Sequence, residues 1–370
     1  MKTEKTLFIV AGEPSGDLHA ARLMQALHKN APFPVRFVGI GGKEMEKQGL
    51  ESLVPMSAMS VVGFWEVAKR YRFFRNVLQR CIGMFDTNSI DAFIPIDYPG
   101  FNERLALQAK KRHIPVLWYI APQLWAWGKH RAAALAKSVD TLMVVFPFEQ
   151  DFFANYGIRT HFVGHPLLDD PVFSESRSEH ETSLIALLPG SRLQEIHRNL
   201  PLMAAAAAII REKTDISVGI AQSSTIPQSE YERLLIPHGM TLQNIWKNSR
   251  ELMHQASAGM VKTGTSTLEA SLCGMPFSMM YTTSRLSYLI GKQLVNLPSI
   301  ALPNIILKKK VVQEFIQSEA TPSAIAKETL RLITDTELCE QQKEDFTAIR
   351  RLLGGPGASE HAATLILQHL

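Results

Sequence analysis

Apolar and polar positions follow a strand–helix rhythm through the first half of the chain. Short apolar or β-branched runs at 35–40, 92–96, 116–120, 141–146 and 161–163 are separated by helical stretches. Residues 18–28 place Leu23, Met24 and Leu27 at helical spacing, and 102–111 carry Leu105 and Leu107. Unbroken apolar runs alternating with helices predict a parallel sheet covered on both faces. The rhythm restarts at 184–189 and continues through 216–221, 258–261 and 277–281. Between the two halves, Pro171, Ser174, Ser176 and Ser178 mix with charges and mark a boundary.

Each half opens in the same way. The run at 6–12 breaks into Glu13-Pro14-Ser15-Gly16-Asp17, and the run at 184–189 breaks into Gly190-Ser191-Arg192, each before a helical pattern. A strand, a small-residue loop and a helix start together offer unpaired backbone N–H groups to an anion. The expectation is an α/β protein of two Rossmann-like domains whose parallel sheets face a central cleft. Its divisions are expected at 1–168, a linker over 169–182, a second domain over 183–345, and a C-terminal hinge and helix over 346–370. Gly354, Gly355 and Gly357 form the hinge. The last helix, 359–370, is expected to pack back on an N-terminal domain, its own or a partner's.

Composition narrows the function classes. Over 370 residues, 46% hydrophobic content suits full cores, and a net charge of +4 is too small for a protein that coats nucleic acid. No run of 18 apolar residues predicts a membrane span. Residues 1–5 lead into a strand start rather than a signal peptide, because the apolar run ends in Gly12-Glu13-Pro14. Cys81, Cys273 and Cys339 lie far apart and read as reduced thiols of a cytoplasmic protein. The 12 histidines show no zinc-site spacing, and no Asp-x-Asp pair ends a strand, so no metal or other cofactor is expected. Walker, G-x-S-x-G and G-x-G-x-x-G motifs are absent too.

Four loops carry candidate chemistry. In the first, Gly12 and Gly16 permit close backbone approach and Ser15 offers a hydroxyl, although Ser15 or Asp17 could instead cap the helix. In the second, Asp97 follows the apolar run at 92–96, at a strand's C-terminal end where α/β sheets bind ligands. It reads as a general base, an orienter of a substrate hydroxyl, or a turn residue fixing its own loop. In the third, Gly190 and Ser191 supply a backbone nest and Arg192 a guanidinium at a helix start, a combination suited to phosphate. In the fourth, Gly264, Thr265 and Ser266 could hold a distal phosphate while Glu269 accepts both ribose hydroxyls; the same residues also form a capping pattern. Trp125 and Trp127 either line the cleft or pack in a core.

A further helix is predicted over 64–85, with Phe64, Val67, Ala68, Tyr71, Phe74, Leu78, Cys81, Ile82 and Phe85 on a core face. On its other side Trp65 and Phe73 fall among Lys69, Arg72 and Arg80. Aromatics among cations suit contact with anionic lipid, and a solvated basic helix with both rings tucked under a loop is the alternative.

Taken together, these motifs resemble the lipid A disaccharide synthases, inverting glycosyltransferases of family nineteen with the GT-B fold. The likeness rests on 11–17, Gly39 to Gly42 with Met45 and Gly49, 96–102, 122–127, 146–149, Gly164-His165, 187–192 with Glu195, 263–269 and 302–304, in family order. The chain departs from the family pattern at Pro14, where Thr is common, at Tyr98 and Gly100, and in a short stretch between Asp169 and Ser183. The resemblance implies that UDP-2,3-diacylglucosamine gives its glucosamine to the 6-hydroxyl of 2,3-diacylglucosamine 1-phosphate (lipid X). Asp97 would be the base and Arg192 the diphosphate ligand. Asn304 and the loop from Gly264 to Glu269 would contact UDP, with Glu13, Ser15 and Gly16 in the substrate site. It also implies peripheral attachment to the cytoplasmic face of the inner membrane and, in some members, dimers that exchange C-terminal segments. Competing readings on the same residues are a UDP-sugar 2-epimerase, an NAD-dependent dehydrogenase and a non-catalytic nucleotide-sugar- or lipid-binding module.

Overall fold

The computed structural model describes residues 4–59, 70–87, 89–173, 183–284, 288–289, 291–292 and 297–370. The chain divides into two compact units, one of residues 1–169 with 353–370 and one of 170–352.

The first unit runs β1 (Lys5–Ala11), α1 (Pro14–Asn30), β2 (Val35–Ile40), α2 (Lys43–Lys47), β3 (Leu50–Ser52), α3 (Met56–Met59), α4 (Tyr71–Thr87), β4 (Ala92–Ile96), α5 (Pro99–Lys111) and β5 (Leu117–Tyr119). It continues through α6 (Ala132–Leu135), β6 (Thr141–Val144), α7 (Pro147–Ala154) and β7 (Thr160–Phe162). Among the described residues its sheet has the order β3-β2-β1-β4-β5-β6-β7, and every described pairing is parallel. From Leu7 to Ala11, β1 is wholly buried, as a central strand covered on both faces must be. Order reverses between β1 and β4, whose last residues pair as Ala11 with Ile96.

The second unit repeats the plan. It contains β8 (Leu184–Leu188), α8 (Leu193–Arg211), β9 (Ser217–Ala221), α9 (Gln228–Leu235), β10 (Ile245–Trp246), α10 (Ser249–Gln255), β11 (Ala258–Lys262) and α11 (Thr265–Leu272). Then come β12 (Phe277–Tyr281), α12 (Leu302–Leu307), β13 (Glu314–Ile316), α13 (Pro322–Thr334) and α14 (Thr336–Leu352). Its sheet order is β10-β9-β8-β11-β12-β13, parallel again, with the reversal between β8 and β11. Both sheets therefore have the dinucleotide-fold order, in which ligands gather at the carboxyl ends of the strands flanking the reversal.

The chain returns to the first unit within this one molecule. Helix α14 runs unbroken past 346, so the crossover falls at 352–353, just before the glycines expected to hinge, rather than at the 345–346 boundary. Beyond it α15 (Ala358–Leu367) packs on α1. The Asp169 carboxylate caps it, accepting from the N–H groups of Gly357 (2.7 Å), Ala358 (2.9 Å) and Ser359 (3.0 Å) and from the Ser359 hydroxyl (2.6 Å). That places an anion at a helix N-terminus, where the orphan donors and the dipole favour it. Of the expected linker, Pro171–Phe173 forms a 3-10 turn with Phe173 fully buried, and 174–182 lie outside the described residues.

Helix α4 keeps the expected core face at Phe74, Leu78, Cys81, Ile82 and Phe85 and corrects it at Tyr71 and Phe73. Its buried positions are Val77, Cys81 and Phe85, while Tyr71, assigned to the core side, is 57% exposed. Phe73, assigned to the open side, is half-buried against the core, edge-on to Phe74, with the Arg70 guanidinium 4.6 Å from its ring. Arg72, Arg75 and Arg80 are exposed. Trp65 and Lys69 lie outside the described residues. No helix among the described residues is long and apolar enough to cross a membrane.

Candidate active site

In the first unit the chemistry gathers at the reversal between β1 and β4. Asp97 follows the last residue of β4 and sits beside the loop that leaves β1. It and Tyr98 both hold left-handed backbone (φ 44° and 50°), and Ile120, one strand over, does the same (φ 63°). Such conformations cost non-glycine residues free energy, and they cluster where side chains must be aimed rather than merely packed. The turn is held from every side. The Asp97 N–H donates to the Tyr119 carbonyl at 3.2 Å, and the fully buried Asn102 amide donates to the Asp97 carbonyl at 2.8 Å. The Tyr98 ring lies on Gly12, where a β-carbon would stand 2.4 Å from ring atoms, and its hydroxyl donates to the Met59 carbonyl at 2.9 Å. Only glycine at position 12 leaves room for that ring.

The Asp97 carboxyl is pushed up to about 6, first by its burial and then by the negative charge of Glu13 across the reversal. A carboxylate poised there is ionised at neutral pH yet basic enough to accept a proton from an alcohol. Glu13, Pro14 and Ser15 are exposed at the start of α1 and Gly16 is buried. Asp17 is a strut, its oxygens accepting from the N–H groups of Gly42 (2.8 Å), Glu44 (3.1 Å) and Met45 (3.1 Å) and so capping α2.

A second carboxylate at this edge is not evident in the sequence. Glu149, wholly buried, accepts from the Trp125 indole N–H at 2.8 Å and from the N–H groups of Phe146 (3.0 Å) and Val145 (3.2 Å). Burial raises its carboxyl to about 7, against those hydrogen bonds. Trp125 is therefore a core residue that ties the 122–127 loop to α7, whereas Trp127 is 41% exposed with the Arg131 guanidinium 5.0 Å from its ring. His165, tilted against Phe146, is kept neutral by burial, its ring pushed down to about 3, while its Nδ1 accepts the Leu167 N–H.

In the second unit, the loops after β8 and β11 lie side by side at the reversal. Gly190 (φ 118°) turns the first loop, and Ser191 and Arg192 are exposed at the start of α8. Glu195 folds back into this turn. One of its oxygens accepts the Ser191 N–H at 3.2 Å; the other lies 2.8 Å from Lys262 Nζ and 3.6 Å from an Arg192 nitrogen. Burial alone raises its carboxyl, but Lys262, the Ser191 amide and Arg192 together outweigh burial and hold it below the usual range. Gly264, Thr265 and Ser266 start α11, with Thr265 exposed and Ser266 half-buried. Glu269 does not stand ready for a ribose alone: it pairs with Arg250 at 3.3 Å, and Arg250 also binds Asp170 at 2.5 Å.

Asn304 is engaged within the unit. Its side chain is buried, its amide nitrogen donates to the Val312 carbonyl and Glu314, and its oxygen accepts from the N–H groups of Val311 and Val312. With both ends committed inside the unit, it braces the chain between α12 and β13.

A carboxylate at one reversal and a cationic glycine cradle at the other, each on a parallel Rossmann-order sheet, define a GT-B protein, the class shared by sugar transferases and nucleotide-sugar epimerases. Solved structures share the fold. A putative UDP-N-acetylglucosamine 2-epimerase from Listeria monocytogenes superimposes with a TM-score of 0.64 at 12% identity, covering 99% of this chain and 95% of that one. A calicheamicin glycosyltransferase gives 0.61 at 16% identity, covering 100% and 99%. Sequence decides between the branches. The model of the lipid-A-disaccharide synthetase family matches residues 7–368. The lipid-A-disaccharide synthases of Syntrophus aciditrophicus and Nitrosococcus oceani are each 38% identical, over 98% of this chain and 97% and 95% of theirs. The chain belongs to the lipid-A-disaccharide synthase family.

Proposed function

We propose that this protein transfers glucosamine from UDP-2,3-diacylglucosamine to the 6-hydroxyl of lipid X with inversion, releasing UDP and a β-1,6-linked disaccharide 1-phosphate for lipid A. Near-full-length similarity to lipid-A-disaccharide synthases carries the reading, and the two reversals supply residues for it. Asp97 takes the proton of the attacking hydroxyl. As the anomeric bond breaks, negative charge grows on the departing diphosphate. Arg192 and the N–H groups at the start of α8 oppose that charge, which is electrostatic stabilisation by groups already in place. With cations filling that role we propose no divalent metal, a point tested by activity in chelator. The epimerase alternative shares the fold at 12% identity, which supports architecture and nothing finer.

Incubating the protein with UDP-2,3-diacylglucosamine and lipid X, then resolving products by mass spectrometry, tests the assignment. Disaccharide and UDP are expected. Formation of an epimerised donor, or no disaccharide, rejects it. Asp97→Ala should keep UDP binding and lose on the order of 10²–10⁴-fold in rate; near-normal turnover removes Asp97 from the role.

We further propose peripheral attachment to the cytoplasmic face of the inner membrane through the exposed Arg72, Arg75 and Arg80 of α4. Co-sedimentation with anionic but not neutral vesicles reads this out, and unchanged binding in an Arg72→Glu/Arg80→Glu variant rejects it. An exchanged dimer would hinge at Gly354 to Gly357 and make the contact of α15 with α1 between copies; the mass in solution decides.

A further inference from the structure

The cradle in the second unit contains a cation that none of the assignments above uses. Lys262 ends β11, the strand beside β8, so its side chain rises between the two glycine loops. Its Nζ is 2.8 Å from the Glu195 carboxylate, which itself sits in the Gly190 turn. The same Nζ would be 3.7 Å from a β-carbon placed on Gly264, so it also lies against the second loop. The carboxylate is wedged so closely that a β-carbon on Gly190 would stand 2.4 Å from its oxygen. An acidic side chain thus occupies the nest, holding one ammonium and one guanidinium around it.

We infer that Lys262 is a second diphosphate ligand, bridging the Gly190 and Gly264 loops, and that Glu195 is the internal anion that keeps it in position. The inference rests on the UDP-sugar reading of the site. Three observations point to it together. Arg192 and Lys262 converge on one carboxylate oxygen, as cations around a phosphate do. An ammonium carries three donors, of which one contact to Glu195 takes one. Finally, Lys262 is 21% exposed, open enough for a ligand to reach. A diphosphate bears more charge than Arg192 alone neutralises, and a compact ammonium between two helix starts is the complement.

The test compares UDP with uridine by titration calorimetry on the full chain. Lys262→Gln should weaken UDP by about 10- to 100-fold, the size of a lost hydrogen bond to a charged group, and leave uridine affinity unchanged. Lys262→Arg should restore most of the loss. Equal UDP affinity in Lys262→Gln and wild type overturns the inference. A measurement on the wild-type protein guards against a variant that fails to fold. Lysine acylation followed by mass spectrometry should show Lys262 protected by saturating UDP and not by uridine; an unchanged labelling rate overturns the inference. Wild-type protein that binds no UDP at all overturns the nucleotide reading itself, and the inference with it.

Discussion

Asp97→Asn should make the protein inactive and more stable, with a pH signature that separates the cause from packing. The Asp97 carboxyl is raised from 3.8 to about 6 by burial and Glu13, so the folded state binds its proton more tightly than the unfolded chain. Stability linked to this group is greatest when it is protonated and falls as pH rises between those values. Roughly two pKa units correspond to about 3 kcal/mol at full ionisation, of which about half is already lost at pH 5. Asparagine never ionises, so its advantage over wild type should grow from about 1.5 kcal/mol at pH 5 to about 3 kcal/mol at pH 8. Asparagine also tolerates the left-handed backbone at this position better, but that gain does not depend on pH. Glu149 shifts in the same direction: the Asp97 charge helps to raise its carboxyl, so the asparagine variant lets Glu149 ionise at lower pH and widens the margin further as pH rises. Denaturant unfolding at pH 5, 6.5 and 8, followed by a probe in the first unit, measures the margin. A margin that is flat or shrinks with pH refutes the account. Activity should show the converse: kcat/KM falls below about pH 6 as the base protonates. Glu13→Gln should move that limb to lower pH by removing the like charge.

Three further outcomes are expected. Gly12→Ala should displace the Tyr98 ring and break its bond to the Met59 carbonyl, lowering kcat at least tenfold, read in the disaccharide assay, by about 1.4 kcal/mol of lost positioning. Trp125→Phe should cost about 1–3 kcal/mol by leaving the buried Glu149 short of a donor, measured by denaturant unfolding. Asp169→Ala should cost about 2 kcal/mol at the α15 cap and show as faster hydrogen exchange in 358–367 and in the facing side of α1.

Both sheets were readable because their central strands are unbroken apolar runs, a signal that depends on neighbours in sequence alone. The outer strands β3, β10 and β13 were not, since Leu50–Ser52 and Glu314–Ile316 are short and carry polar residues and Ile245–Trp246 is only two residues long. Asp97 stood out by following a buried run; its raised pKa did not, because that comes first from burial in the folded sheet and then from Glu13, which lies on a different strand's loop. Lys262 and Glu195 are likewise far apart in sequence and meet only because β11 pairs with β8. Asn304 shows a different limit of the letters alone. A buried amide that braces two elements and an amide that binds a nucleotide are the same letter, and only its four hydrogen bonds distinguish them. The stripe read over α4 held at Phe74, Leu78, Cys81, Ile82 and Phe85 and missed Val77, which is buried beside them.

The return of α15 to α1 has a consequence for synthesis on the ribosome. Residues 170–352 form a compact unit by themselves, whereas the unit made first is built from two separate stretches, 1–169 and 353–370. Until 358–367 emerge, the side of α1 that α15 will shield stays bare in the nascent polypeptide. Closing the earlier-made unit therefore waits for the last residues of the chain.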